Sequence, residues 1–122
     1  MNEKETQIAR AKVSALITKI LTSTLSVKEA LMSFPKDTDD KSLECAWHAI
    51  IHYEADEDMR SKDCEYAIEQ DEYLEMIAQI LKEGKELPGN IIASYNEYYT
   101  EAHLPKKNSF LNTLKSLFRY TT

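Results

Sequence analysis

The chain has 122 residues, 43% of them hydrophobic and 30% charged, enough for one modest core and too few for two ordinary ones, so a single helical domain over 1–122 is expected. Two glycines and three prolines exclude the many turns of a sandwich or barrel and predict an all-α fold, an irregular bundle of five or six helices. The net charge of −6 is concentrated: residues 37–75 hold fourteen acidic against three basic side chains, which excludes nucleic acid as a partner of that block and favours a basic protein or a cation.

Val13, Leu16, Ile17, Ile20 and Leu21 recur at three- and four-residue steps and predict a first helix from Glu3 to Thr24. Ser26 opens a short second helix through a Ser-x-x-Glu capping box with Glu29, and Pro35 stops it after Phe34. A polar connector, Pro35 to Asp40, ends in an Asp39-Asp40 pair suited to capping a third helix. That helix carries Leu43, Ala46, Trp47, Ile50 and Ile51 on one stripe and continues to near Arg60, with a break around Ser61-Lys62-Asp63. The fourth, from Asp63 to Glu83, turns Tyr66, Tyr73, Leu74, Ile77, Ile80 and Leu81 inward and ends at Gly84, which can supply a left-handed residue. Leu87-Pro88-Gly89-Asn90 forms a turn, with Asn90 capping a fifth helix that bears Ile91, Ile92, Tyr95, Tyr99 and Ala102 and stops before Pro105. A sixth begins near Asn108 or Ser109, with Phe110, Leu111, Leu114, Leu117 and Phe118 on one side and Lys106, Lys107, Lys115 and Arg119 making it basic, as suits a terminal helix docked on the core.

The polar start of the chain, Met1 to Gln7, has no apolar signal region, and no run approaches the roughly 18 residues needed to cross a bilayer. The expectation is a cytoplasmic protein with reduced thiols and no integral membrane association. Cys45 and Cys64 both fall off the apolar stripes of their helices and, in a hairpin of the third and fourth helices, lie roughly 20 Å apart, too far for a disulfide.

His48 and His52 stand one turn apart, with Glu44 and Asp56 on the same four-residue step, a spacing with which two imidazoles can hold zinc or another transition metal. Ala49 occupies the place of the catalytic glutamate of a His-Glu-x-x-His zinc motif, and both histidines fall opposite Leu43, Trp47 and Ile50, where they would meet solvent. A second candidate is the acidic set Glu54, Glu57 and Asp58, opposed by Asp71, Glu72 and Glu75. Paired carboxylates on adjacent helices resemble those with which all-α nucleotide pyrophosphohydrolases of the MazG type hold Mg²⁺. The resemblance stops there: that family's closing Glu-x-x-Asp is missing, and Glu72 and Glu75 point away from the inward face of their helix. Glu54 and Asp58 fall on or beside the apolar side of the third helix and should turn toward the core.

Cys45 and His48 share a helix face but have no evident third group to orient them, and there is no Gly-rich phosphate loop. Of seven tyrosines, Tyr66, Tyr73, Tyr95 and Tyr99 sit on core stripes, whereas Tyr53 and Tyr98 lie at the margins. The function expected first is therefore an inhibitor-, immunity- or antitoxin-like binding module without a cofactor, engaging a basic protein partner through Tyr53, Glu54, Glu57, Asp58 and Tyr98. A metal-dependent hydrolase built on His48/His52 or on Glu54/Glu57/Asp58 is the alternative. Apolar residues left over at Met59 and Ile68 suit a homo-oligomeric contact.

Overall fold

The structure is a computed structural model that describes residues 2–36 and 38–98, with side chains described as far as Ser94. The expected sixth helix and the outer part of the fifth, including Tyr99 and Ala102, lie outside the described residues. Among the described residues there are six α-helices: α1 (Glu3–Leu21), α2 (Val27–Met32), α3 (Lys41–Ala55), α4 (Glu57–Lys62), α5 (Cys64–Lys82) and α6 (Gly89–Tyr98). The all-α class is as composition dictates, and among the described residues no helix is long and apolar enough to cross a membrane.

α1 starts where the Asn2 side chain accepts the Glu5 amide at 2.8 Å, and it packs along α5. Small residues let these helices approach closely: the Ser14 hydroxyl donates to the Ala78 carbonyl at 2.6 Å in the buried seam. α1 ends three residues before the expected Thr24. Ser23 adopts φ 59, and the Thr24 and Ser23 amides turn back onto the Lys19 and Ile20 carbonyls, the Schellman arrangement with a serine where glycine is usual. α5 ends the same way, with Gly84 at φ 76, as its glycine predicts.

The capping box of α2 is formed, Ser26 Oγ accepting the Glu29 amide at 3.1 Å while Glu29 Oε1 accepts the Ser26 amide at 3.1 Å. Those bonds, the backbone amide first, hold the Glu29 carboxyl below its ordinary range. Ser26→Ala is expected to cost about 1 kcal/mol, read as a lowered urea midpoint with unchanged slope.

α3 begins at Asp40, whose carboxylate caps the Ser42 amide at 3.0 Å and also receives Arg10 of α1, Nε to Oδ2 at 2.8 Å and Nη2 to Oδ1 at 3.2 Å. Arg10 Nη1 reaches the Gly84 carbonyl at 2.9 Å, so one guanidinium ties α1 to the start of α3 and the end of α5. Ser42 Oγ in turn accepts the Leu87 amide at 2.9 Å, pinning the loop into α6. The core fills with Val13, Ile17, Leu31, Leu43, Trp47, Ile50, Ile77 and Leu81, and Phe34 meets Trp47 edge-on with ring centroids 5.3 Å apart.

The expected third helix, running to Arg60, is divided. α3 stops at Ala55, Asp56 is its C-cap, and α4 follows at once; the break expected at Ser61–Asp63 is found at Asp63, whose side chain caps the Tyr66 amide. Asp56 has its carboxylate drawn across to α5, and α4 buries no side chain.

Candidate functional site

A cleft of about 380 Å³ opens between α3, α5 and α6. Its floor is apolar, from Cys45, Ala49, Leu74 and Ile91, and its walls carry His48, His52, Tyr53, Asp56, Tyr66, Gln70, Tyr73 and Ser94. The sequence places them there by helical spacing: residues 45, 48, 49, 52 and 56 lie along one side of α3, and 66, 70, 73 and 74 along one side of α5.

The outer end of the cleft is closed by a polar network. Asp56 Oδ2 accepts from the Tyr66 hydroxyl at 2.5 Å and from Gln70 Nε2 at 3.0 Å; Tyr53 donates to Asp71 Oδ1 at 3.0 Å. Arg60, from α4, donates to Gln70 Oε1 at 2.9 Å and to the Tyr53 carbonyl, and its guanidinium lies over the Tyr53 ring, 3.5 Å from the centroid. These bonds connect α3, α4 and α5 where hydrophobic packing does not. The Tyr53 hydroxyl is pushed above its ordinary range by burial and by its bond to Asp71, and Tyr66 by its bond to Asp56, so both remain phenols and donors.

Burial, with a smaller push from His52, depresses His48 to about 4, leaving a neutral imidazole at neutral pH. Burial, and then the neighbouring Glu44, raises the Cys45 thiol to about 11. A thiolate–imidazolium pair requires shifts in the opposite directions, so Cys45 and His48 line the cleft as neutral groups. Among the described residues no three His, Cys, Asp or Glu side chains come together as a group able to hold a metal ion, and His48 and His52 supply two candidate ligands from one helix.

Compared with protein-family models, with curated proteins and with solved structures, the chain matches none.

Several expected positions shift. Of the two histidines expected to meet solvent, His52 is exposed, at the rim of the cleft, but His48 is half-buried within it: six consecutive residues, Ser42 to Trp47, are buried, so the first half of α3 is covered all round. Cys45, expected off the core, is buried for the same reason, whereas Cys64 is exposed. Of the two carboxylates expected to turn inward, Glu54 is half-buried and raised by burial and by Glu57, but Asp58 is exposed, because the helix ends at Asp56 and its angular register does not carry into α4. Glu57 is exposed as well. Glu72 and Glu75 face solvent, while Asp71 is drawn in by Tyr53. Tyr66 is half-buried and Tyr73 is 45% exposed, so neither is the core residue its stripe suggested; both belong to the cleft. The side chain of Tyr98 lies outside the described residues. Of Arg60 and Gln70, neither of which stood out in the sequence, Gln70 left one signal: it stands four residues after Tyr66, whose hydroxyl accepts from its Nε2 at 3.1 Å.

Two measurements follow from the cleft's chemistry. With an aromatic disulfide reagent at pH 8, Cys64 reacts promptly and Cys45 only after unfolding; two equivalents of equal rate would contradict the burial of Cys45. His48 binds its proton less readily folded, at about 4, than unfolded, at 6.5, so the unfolded state holds more protons in that window and stability is lost as pH falls from 6.5 toward 4. The loss is expected to be about 2 kcal/mol, the full shift discounted for solvent reaching this half-buried ring. Urea midpoints at pH 7, 5.5 and 4 measure it, and His48→Gln should flatten the slope.

Proposed function

We propose that this chain is a helical protein-binding module whose acidic end, built from α4 and the first half of α5, engages a basic protein partner. The observation that carries the reading is the composition of that end. α4 and residues 64–73 bury no side chain, yet they expose Met59 at 54% and Ile68 at 52% among Glu57, Asp58, Asp63, Glu65, Glu69 and Glu72. A surface of this kind steers a basic target by its field and holds it by its apolar residues.

In this reading Glu54, Glu57 and Asp58 supply the field. Tyr53 acts through position, since its hydroxyl and ring are engaged by Asp71 and Arg60. Tyr98, on α6, enters this reading from its place in the sequence alone. The proposal places the protein in the cytoplasm, acting without nucleic acid; self-association through Met59 and Ile68 is the competing use of the same residues. Hydrolysis by a metal held at His48/His52 or at Glu54/Glu57/Asp58 has less support, since neither set brings three ligands together among the described residues.

The test is affinity capture at low salt with the full chain and with the double variant Glu57→Lys/Asp58→Lys, followed by titration of the captured proteins. The expected result is a basic partner bound at least tenfold more weakly by the double variant, by Ile68→Glu and at raised ionic strength. A partner indifferent to all three overturns the reading. A concentration-dependent dimer lost in Ile68→Glu, by light scattering, would assign the surface to self-contact instead.

A further inference from the structure

We propose that the cleft between α3, α5 and α6 is a binding site for a small organic cation, an amine or quaternary ammonium with an apolar body. This inference rests on the cleft alone and does not depend on the acidic end having a protein partner.

At about 380 Å³ the cleft lies within the range of small-molecule sites, and it combines an apolar floor with a few convergent polar groups, as such sites do. The sign of its charge narrows the ligand. No lysine or arginine lines it among the described residues; the charged group on its wall is the Asp56 carboxylate, with Asp71 directly behind Tyr53. An anion would meet the Asp56 carboxylate on the wall itself, with the nearest described cation, Arg60, held at the outer end by Tyr53 and Gln70. A neutral, desolvated His48 adds no positive charge to oppose a cation.

Three tyrosines, Tyr53, Tyr66 and Tyr73, supply aromatic wall. Faces of such rings attract ammonium groups through their quadrupole, the more so when water is excluded. One of these rings already does this within the chain: the Arg60 guanidinium lies 3.5 Å from the Tyr53 centroid, on a ring whose hydroxyl is fixed by Asp71. Arg60 adds positive charge at the outer end, and it is opposed there by Glu54, Asp56 and Asp71, so the surroundings stay negative. Tyr73 has no part in the Asp56 and Asp71 network, and at 45% exposure it is the ring open to an incoming ligand.

The test is calorimetric titration of the full chain with four probes: choline, its neutral isostere 3,3-dimethyl-1-butanol, phenethylamine and phenylacetate. Choline or phenethylamine is expected to bind at least about fivefold more tightly than the neutral isostere, and phenylacetate not measurably. Tyr73→Leu should weaken the cation about tenfold while Tyr73→Phe retains it, both with the wild-type urea midpoint. Equal affinity for the isostere, binding of phenylacetate, absence of binding by either cation, or cation binding unchanged in Tyr73→Leu each overturns the proposal.

Discussion

Trp47→Ala is expected to lower stability by about 3–5 kcal/mol, since it truncates the largest fully buried side chain described. The indole is 1% exposed, sits on the buried stripe of α3 and receives the edge of Phe34 from the segment after α2. Removing it deletes the transfer energy of the largest core side chain and leaves a void that α1, α2 and α3 cannot close without moving one another. Domains of this size are stable by only about 5–15 kcal/mol, so the variant should be partly unfolded at 37 °C. Circular dichroism during urea unfolding reads the loss; tryptophan fluorescence cannot, since Trp47 is the chain's single tryptophan. Trp47→Phe, which refills most of the volume, should recover more than half. A variant within 1 kcal/mol of the parent would show that the α2–α3 packing is wrong.

Arg10→Ala should cost about 2–4 kcal/mol, through a different mechanism. The Arg10 and Asp40 side chains are 11% and 10% exposed, and truncating the cation strands a carboxylate where little water reaches it. The Gly84 carbonyl loses its donor as well, at the residue that ends α5. Arg10→Lys should restore less than half, because a single ammonium cannot make three bonds in the planar arrangement of the guanidinium. The double variant Arg10→Met/Asp40→Asn should cost less than the sum of the two single changes, since it removes the charge together with its partner. Additive losses in that cycle would mean that the two side chains do not interact.

The starts of the helices were legible where a capping side chain stands: Ser26 and Asp40 each accept a backbone amide as their types predict, whereas α4 follows Asp56 with no side-chain cap and α6 begins at Gly89, one residue before Asn90, the expected cap. Their ends were less so. Gly84 announces a left-handed terminus, but Ser23 adopts the same conformation with no such signal, and α1 ends with its apolar stripe at Leu21 and not at the expected Thr24. Asp56 interrupts α3 because its carboxylate is bound by Tyr66 and Gln70, partners ten and fourteen residues away that no local pattern reveals.

The cleft was legible only in part, for a related reason. A helical wheel places His48, His52 and Asp56 along one side of α3, but whether that side meets water depends on which helices cover it. α5 and α6 pack there, so His48, read as solvated, became half-buried wall while His52 stayed exposed at the rim. Glu44 is the extreme case: a carboxylate on the polar side of the wheel, yet 1% exposed, with Lys41 Nζ at 3.1 Å from its oxygen. Tyr66 and Tyr73 erred the other way, because the stripe they share with Leu74 and Ile77 runs on past the end of the core.

That last feature divides the molecule into two tiers of stability. Residues 64–73 extend α5 by about 15 Å without one buried side chain, and α4 adds none, so this end is held by hydrogen bonds among Tyr53, Asp56, Arg60, Tyr66, Gln70 and Asp71. Such a region opens as a unit at a free energy well below that of global unfolding. Its amides should therefore exchange with deuterium far sooner than those of residues 74–81, within a single unbroken helix. The surface proposed to meet a partner would then be the part of the chain able to rearrange upon it while the α1–α5 seam stays closed.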